Sequence, residues 1–315
     1  MNMSSSCQTS YTSKSSLSNG QKQTLVALNL LSMAVNIVTN SAVITSLKRT
    51  NQLQNISLRL ILFLSISDLC LALVSQTLFT VMLSNFSDKD HCEFDSIVNF
   101  FAIFLTHTSG YTIVLIGYDR FARMKYLNKY SVIVTKRRVH IALVVFTLLS
   151  LTQASLYPIG TMYSIFPKTK IIAVFIDVII GGAALCLYIA TIFIIKRHRR
   201  NAQNRQLLEN VDKAVTRLAS LILLAIIIFY IPYMLISVSH SVLSPKLPNI
   251  HKRQTLHFVL FFGYVLTYCN SSVNAIIFLC VNGKAKNFIS RKLCRQDDVE
   301  ESTLSNSGTP TITQL

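Results

Sequence analysis

Runs of apolar residues separated by short polar stretches organise the whole chain. Seven blocks follow one another, at roughly Thr24–Leu47, Ile56–Leu83, Ile97–Tyr118, Val139–Tyr157, Ile171–Ile195, Ala214–Val238 and Leu256–Leu279. Each is near or above the roughly 20 residues that a helix needs to cross bilayer hydrocarbon. A continuous helix also satisfies its own backbone hydrogen bonds, which lipid cannot do. A soluble bundle would carry a charged face on most helices, and Leu218–Ile231 and Ile171–Ile195 carry almost no charge. The pattern predicts an all-α fold, a seven-transmembrane-helix bundle over 24–279. Before it, 1–23 reads as a polar extracellular segment without a cleavable leader. After it, Lys284–Leu293 mixes basic and apolar residues, so 280–295 reads as a short juxtamembrane amphipathic helix. Residues 296–315, acidic and then Ser/Thr-rich, read as a disordered cytoplasmic tail.

Composition agrees with one membrane domain: 51% of the chain is hydrophobic and only 14% is charged, where soluble domains carry about 25% charge. The net charge of +17 would suit nucleic acid, but the basic residues sit in the gaps between blocks. That placement fits loops facing anionic lipid instead. Alternate gaps hold twenty-two and eight Lys and Arg residues, which predicts an outside N-terminus and an inside tail; the expected location is the plasma membrane, as a multi-pass protein. The sequons at Asn2 and Asn85 fall on the outer side and are candidate glycosylation sites. Seven cysteines at scattered spacings give neither a disulfide framework nor a zinc pattern.

Polar groups inside the blocks are costly and mark function by default. Asp68 lies midway along the second block, where a carboxylate needs a counter-charge, a proton or surrounding oxygen donors. Ser109, Asn270, Ser271 and Asn274, with Asn40, supply hydroxyl and amide oxygens from other blocks, a set suited to Na⁺. A polar cluster that merely joins helices is the alternative. Arg120, after Asp119, sits at the inner end of the third block, and Asp212 at the inner end of the sixth. Their pairing would form a two-state latch, with Pro232 supplying the kink on which the sixth helix swings. There is no nucleophile–base pairing for an enzyme, hence no catalytic residue, and no inverted repeat of broken helices for a transporter.

These residues resemble the rhodopsin-like G-protein-coupled receptors. Asn40 precedes Asp68 by 28 positions, the family spacing, and Ser65–Leu69 looks like the second-helix signature. Asp119-Arg120-Phe121 resembles Asp-Arg-Tyr, and Phe229-Tyr230-Ile231-Pro232 resembles Cys-Trp-x-Pro with Tyr230 at the toggle position. Asn274-Ala275-Ile276-Ile277-Phe278 resembles Asn-Pro-x-x-Tyr, and Tyr188 matches the fifth-helix tyrosine of the active state. The resemblance implies that Asp68, Ser109, Asn270, Ser271 and Asn274 hold an allosteric Na⁺, with no other cofactor. It also implies that Asp119, Arg120, Tyr188, Asp212, Tyr230, Pro232, Asn274 and Phe278 form the switch.

Within the family the likeness is to melanocortin and adenosine-type receptors: Tyr126, Tyr130, Ile133, Thr135, Arg138 and Val139 resemble the melanocortin second inner loop. Asp95 falls where those receptors place a third-helix carboxylate; their second becomes Asn99 and their second-helix acid Leu78. An amine receptor's third-helix carboxylate becomes Ala102, and the adenosine-receptor amide becomes Ser237. Asp95, Asn99, Ala102, Tyr233, Ser237 and His240 are the ligand candidates, for an extracellular ligand of unknown class. The usual outer-loop disulfide has no partners here; either Cys7 pairs with Cys92, or Cys7 stays free.

Partners implied are a heterotrimeric G protein, arrestin at Ser302–Thr309, membrane lipid, and a PDZ domain at Thr313-Gln314-Leu315, with no nucleic acid. Cys294 is a palmitoylation candidate. The alternative function is a non-signalling seven-helix partner or chaperone of other receptors.

Overall fold

The computed structural model describes residues 17–84, 92–126, 129–162, 166–201, 221–222, 224–243, 250–288 and 290. Among the described residues there is no strand. The helices are α1 (Asn19–Arg49), α2 (Ile56–Ser84), α3 (Cys92–Lys125), α4 (Lys136–Met162), α5 (Phe166–Asn201), α6 (Ile231–Leu243) and α7 (Ile250–Val281). Six contain spans long and apolar enough to cross a membrane, and Ile226–His240 is a shorter apolar helix. Asn2, Cys7, Asn85, Asp212 and Cys294 lie outside the described residues, as does the side chain of Cys92.

The helices run past the apolar blocks at several ends, because backbone hydrogen bonding continues where side chains turn polar. α1 begins inside the stretch read as extracellular. Ser18 caps it, its hydroxyl accepting from the Gln21 amide at 3.3 Å while Gln21 Oε1 accepts from the Ser18 amide at 3.0 Å, a reciprocal capping box. Asn55 caps α2 through Ser57 N at 3.0 Å. After α7, Asn282 Oδ1 accepts from the amides of Lys284 and Ala285, both at 3.1 Å. That cap starts a second helical run over 283–288.

Neighbours in sequence pack side by side and α7 closes the ring against α1, with α3 touching α2, α4 and α5. One apolar cluster, around Val43, Leu64, Ile116 and Phe278, fills the half of the bundle nearest Arg120; another, around Leu25, Phe79, Phe261 and Tyr268, fills the opposite half.

α1 reverses the pattern of a soluble helix. Asn29, Ser32, Asn36 and Asn40 are buried, whereas Leu31 and Val38 are exposed. Lipid is as apolar as leucine, so helices in a bilayer associate through close packing and polar contacts instead. Asn29 Nδ2 donates to Gln76 O at 2.9 Å and Thr80 Oγ1 at 2.8 Å. Asn36 Nδ2 donates to Gln76 Oε1 at 3.3 Å and Asp68 O at 3.2 Å. Gln76 Nε2 reaches Ser32 Oγ at 3.3 Å. Gln76 ends a π-helical turn, Leu71–Gln76, within α2. Such a turn changes the angular register of everything after it.

A second π-helical turn, Ile226–Tyr230, runs into α6 immediately before Pro232. Proline has no N–H to donate and crowds the preceding turn, so the irregular turn and the proline fall together.

Candidate functional site

Asp68 is fully buried at the centre of the bundle. Ser109 Oγ, from α3, donates to its Oδ1 at 2.7 Å, and Ser271 of α7 is close to the same carboxylate. Among the described residues, Oδ2 has no hydrogen-bond partner. Nor do Asn270 Oδ1 and Asn274 Nδ2 on α7, both buried. Buried polar atoms without partners are rare enough to need an explanation such as an ion or water.

Two cavities lie nearby, one lined by Asp68 itself and the other by the residues around it. A cavity of about 40 Å³ is lined by Ser109, Gly110, Tyr230, Thr267, Asn270 and Ser271 among others. Another of about 30 Å³ is lined by Asn40, Ser65, Asp68, Tyr188, Asn274 and Phe278 among others. A water requires on the order of 10–15 Å³ measured this way, so each cavity admits an ion or a few waters. A Na⁺ would be held by the Asp68 carboxylate, the Ser109 and Ser271 hydroxyls and the Asn270 amide oxygen, with Asn274 facing the second cavity. These are hard oxygen ligands, and the unpartnered oxygens of Asp68 and Asn270 suit a cation, whereas Asn274 leaves an N–H donor open. When bound, the ion supplies the charge that balances the carboxylate.

The two cavities connect Asp68 with the aromatic residues singled out for switching. Tyr230, at the end of the π-helical turn, lies against Gly181 of α5: a Cβ there would fall 2.7 Å from Tyr230 Cε1. Gly181 is thus the only kind of residue that admits the ring at this place. Tyr188 is fully buried, stacks over Gly117 of α3 and donates to Ile113 O at 3.3 Å. It interacts electrostatically with Arg120. Pro232 follows Tyr230 on α6, and Phe278 packs in the apolar cluster beside the smaller cavity.

At the inner end of α3, Asp119 is buried and held by residues that the motif alone did not single out. Ser57 Oγ of α2 donates to Asp119 Oδ2 at 2.6 Å, and the Tyr130 hydroxyl donates to Oδ1. Arg123 Nη2 reaches both Ser57 Oγ at 3.0 Å and the Tyr130 hydroxyl at 3.1 Å, with its guanidinium 4.5 Å from the Tyr130 ring centre. Tyr130 sits in the inner loop. Its burial, then its hydrogen bond to Asp119, push its hydroxyl above the usual tyrosine range. Arg120 leaves its Nε buried without a hydrogen bond among the described residues. The partner expected for it, Asp212, is outside them. Ser57 had no sequence signal beyond its place near the start of a block; Tyr130 had one, its match to the melanocortin loop.

The ligand candidates lie on α3 and α6. Asn99 Nδ2 donates to Asp95 O at 2.7 Å within α3, and Asp95 and Ser237 are buried. Tyr233 packs against Gly263 of α7 and lies 5.6 Å centre to centre from Tyr264. His240 Nε2 is 2.9 Å from His257 Nδ1, joining α6 to α7. Ala102, on the outer half of α3, is half-buried.

Six membrane-length helices and a shorter apolar one among the described residues, around a buried carboxylate, define a polytopic membrane protein. The chain belongs to the rhodopsin family of seven-transmembrane receptors, whose family model matches residues 39–278. Proteins of that family are receptors rather than enzymes, and membership implies an extracellular ligand and a G-protein partner. No curated protein matches the chain.

Proposed function

We propose that the chain transduces an extracellular ligand signal into nucleotide exchange on a heterotrimeric G protein. It would sit in the plasma membrane with its N-terminus outside. In this reading 1–23 is the outer segment, 24–279 the membrane domain, 280–295 the juxtamembrane helix and 296–315 the regulatory tail. One observation carries it: unpartnered buried polar atoms at Asp68, Asn270 and Asn274 line two cavities that reach from Tyr230 to Tyr188. Such a core has groups to exchange when α6 moves, which is what a bistable switch requires. Asp68, Ser109, Asn270 and Ser271 then form a Na⁺ site that favours one arrangement. Asp119, Ser57 and Tyr130 hold the inner end until the G protein engages Arg120.

The melanocortin likeness of the second inner loop belongs to this reading, and Tyr130 of that loop binds Asp119. Calcium-assisted peptide recognition is not part of the proposal, because Asn99 and Leu78 replace two carboxylates. Arrestin binding at the tail, PDZ capture of Thr313-Gln314-Leu315, palmitoylation of Cys294, glycosylation of Asn2 and Asn85, and a Cys7–Cys92 disulfide belong to the same reading. The test is guanine-nucleotide exchange by purified G proteins of each class on membranes holding wild type or Arg120→Ala. Exchange that is lost on substitution supports the proposal. No exchange with any class, basally or across a ligand library, leaves the non-signalling partner instead.

A further inference from the structure

On the lipid-facing side of the bundle, at the end that carries Arg120, a groove of about 400 Å³ runs between α2 and α4. Binding pockets for small molecules occupy about 300–1,000 Å³. Its walls follow helical spacing. Arg59, Leu62, Phe63 and Ile66 descend one face of α2, and Lys136, Val139, His140 and Leu143 descend the facing side of α4. The cationic groups therefore lie at the helix starts, in the headgroup region, and the apolar ones lie one to two turns deeper.

The groove is basic among the described residues. None of its lining residues is acidic, and neither α2 nor α4 has an acidic residue in its first turn. Both helix N-termini add partial positive charge there. Arg59 is fixed in place: its Nε donates to Leu53 O at 2.6 Å. That carbonyl is presented by the tight turn that Asn51 opens in a left-handed conformation, φ 50°. Two cationic side chains at the helix starts, an imidazole one turn deeper and an apolar wall around and below it match the build of one kind of molecule: an acyl chain beneath an anionic headgroup.

We propose that this groove is a specific binding site for an anionic phospholipid of the leaflet on the Arg120 side. The headgroup phosphate sits between Arg59 and Lys136, with His140 beside it, and one acyl chain lies against Phe63, Ile66 and Leu143. Each basic side chain near an anionic membrane surface contributes roughly fivefold in affinity.

The experiment is native mass spectrometry of the intact protein, titrated with dioleoylphosphatidylserine, dioleoylphosphatidylcholine or cholesterol. Wild type is compared with Arg59→Gln/Lys136→Gln and with Lys48→Gln/Arg137→Gln, which removes equal charge from the same membrane face outside the groove. A third variant, Leu143→Trp, keeps the charge and fills the apolar wall. Thermal unfolding is followed on each to show that the bundle is intact. The expected result is phosphatidylserine retained over phosphatidylcholine by wild type and by Lys48→Gln/Arg137→Gln. Arg59→Gln/Lys136→Gln should weaken it roughly thirtyfold, and Leu143→Trp should also reduce retention. Equal weakening in both double variants would show general surface attraction and overturn the site. So would cholesterol displacing phosphatidylserine, no preference over phosphatidylcholine, or an unaffected Leu143→Trp.

Discussion

Substitution of Gly181 by alanine sets two effects of opposite sign against each other. Alanine in a helix interior is favoured over glycine by about 0.8–1.0 kcal/mol. The new Cβ, however, would lie 2.7 Å from Tyr230 Cε1 and 3.2 Å from Cδ1. Carbon atoms rest at about 3.5–4.0 Å, so the ring must retreat by about 0.8 Å or more. Overpacking of this kind costs about 1–3 kcal/mol, which exceeds the helical gain. The adjacent cavity near Asn270 offers the ring somewhere to go, so Gly181→Ala should displace Tyr230 toward the Asp68 site and change basal nucleotide exchange.

Gly182 provides the control, because a Cβ there meets nothing within 4 Å. Thermal and denaturant unfolding of the purified protein should show Gly182→Ala stabilised by up to about 1 kcal/mol, with Gly181→Ala neutral or destabilised. In a Tyr230→Leu background Gly181→Ala should become stabilising, giving a coupling energy of about 1–3 kcal/mol between the two positions. If both alanines stabilise equally, and the Tyr230→Leu background makes no difference, the close approach does not exist and the reasoning fails.

Na⁺ titration of basal exchange should suppress activity in wild type and leave Asp68→Asn unresponsive; equal sensitivity in both would remove the ion from the site. Ser57→Ala leaves Asp119 Oδ2 short of a donor, which costs about 1–3 kcal/mol and should raise basal exchange; an unchanged rate would detach this carboxylate from the switch. The raised hydroxyl of Tyr130 has a definite sign. Its contribution to stability is complete below the ordinary tyrosine value near 10 and falls as pH rises through the higher folded value. Wild type should therefore lose more stability than Tyr130→Phe in strongly alkaline buffer, and identical pH profiles would contradict the hydrogen bond to Asp119. Gln76→Leu strips Asn29, Asn36 and Ser32 of a shared partner. With roughly 0.6 kcal/mol for an average interhelical bond and unsatisfied groups left behind, the loss should be about 1–3 kcal/mol, against a smaller loss for Thr80→Val.

Block length and charge asymmetry, both visible in the sequence, were enough for a membrane bundle of apolar helices, since lipid imposes its thickness and its lack of hydrogen-bond partners on any chain that crosses it. The buried polar residues of the candidate site were legible for a related reason. Asp68, Arg120 and Asn270 are polar in segments where polarity is costly, so each stands out against its neighbours. The α1 residues Asn29, Ser32 and Asn36 stood out less, because amides and hydroxyls are cheap enough to pass as tolerated. What they bind is set by the π-helical turn that brings Gln76 round to them. Nor does any local pattern say that Gly181 faces Tyr230, that Ser57 meets Asp119 across 62 positions, or that Arg59 and Lys136 border one groove. Those pairings are relations between helices, decided by how the bundle closes and by where each π-helical turn shifts the register; the sequence of a single helix holds no record of what lies opposite.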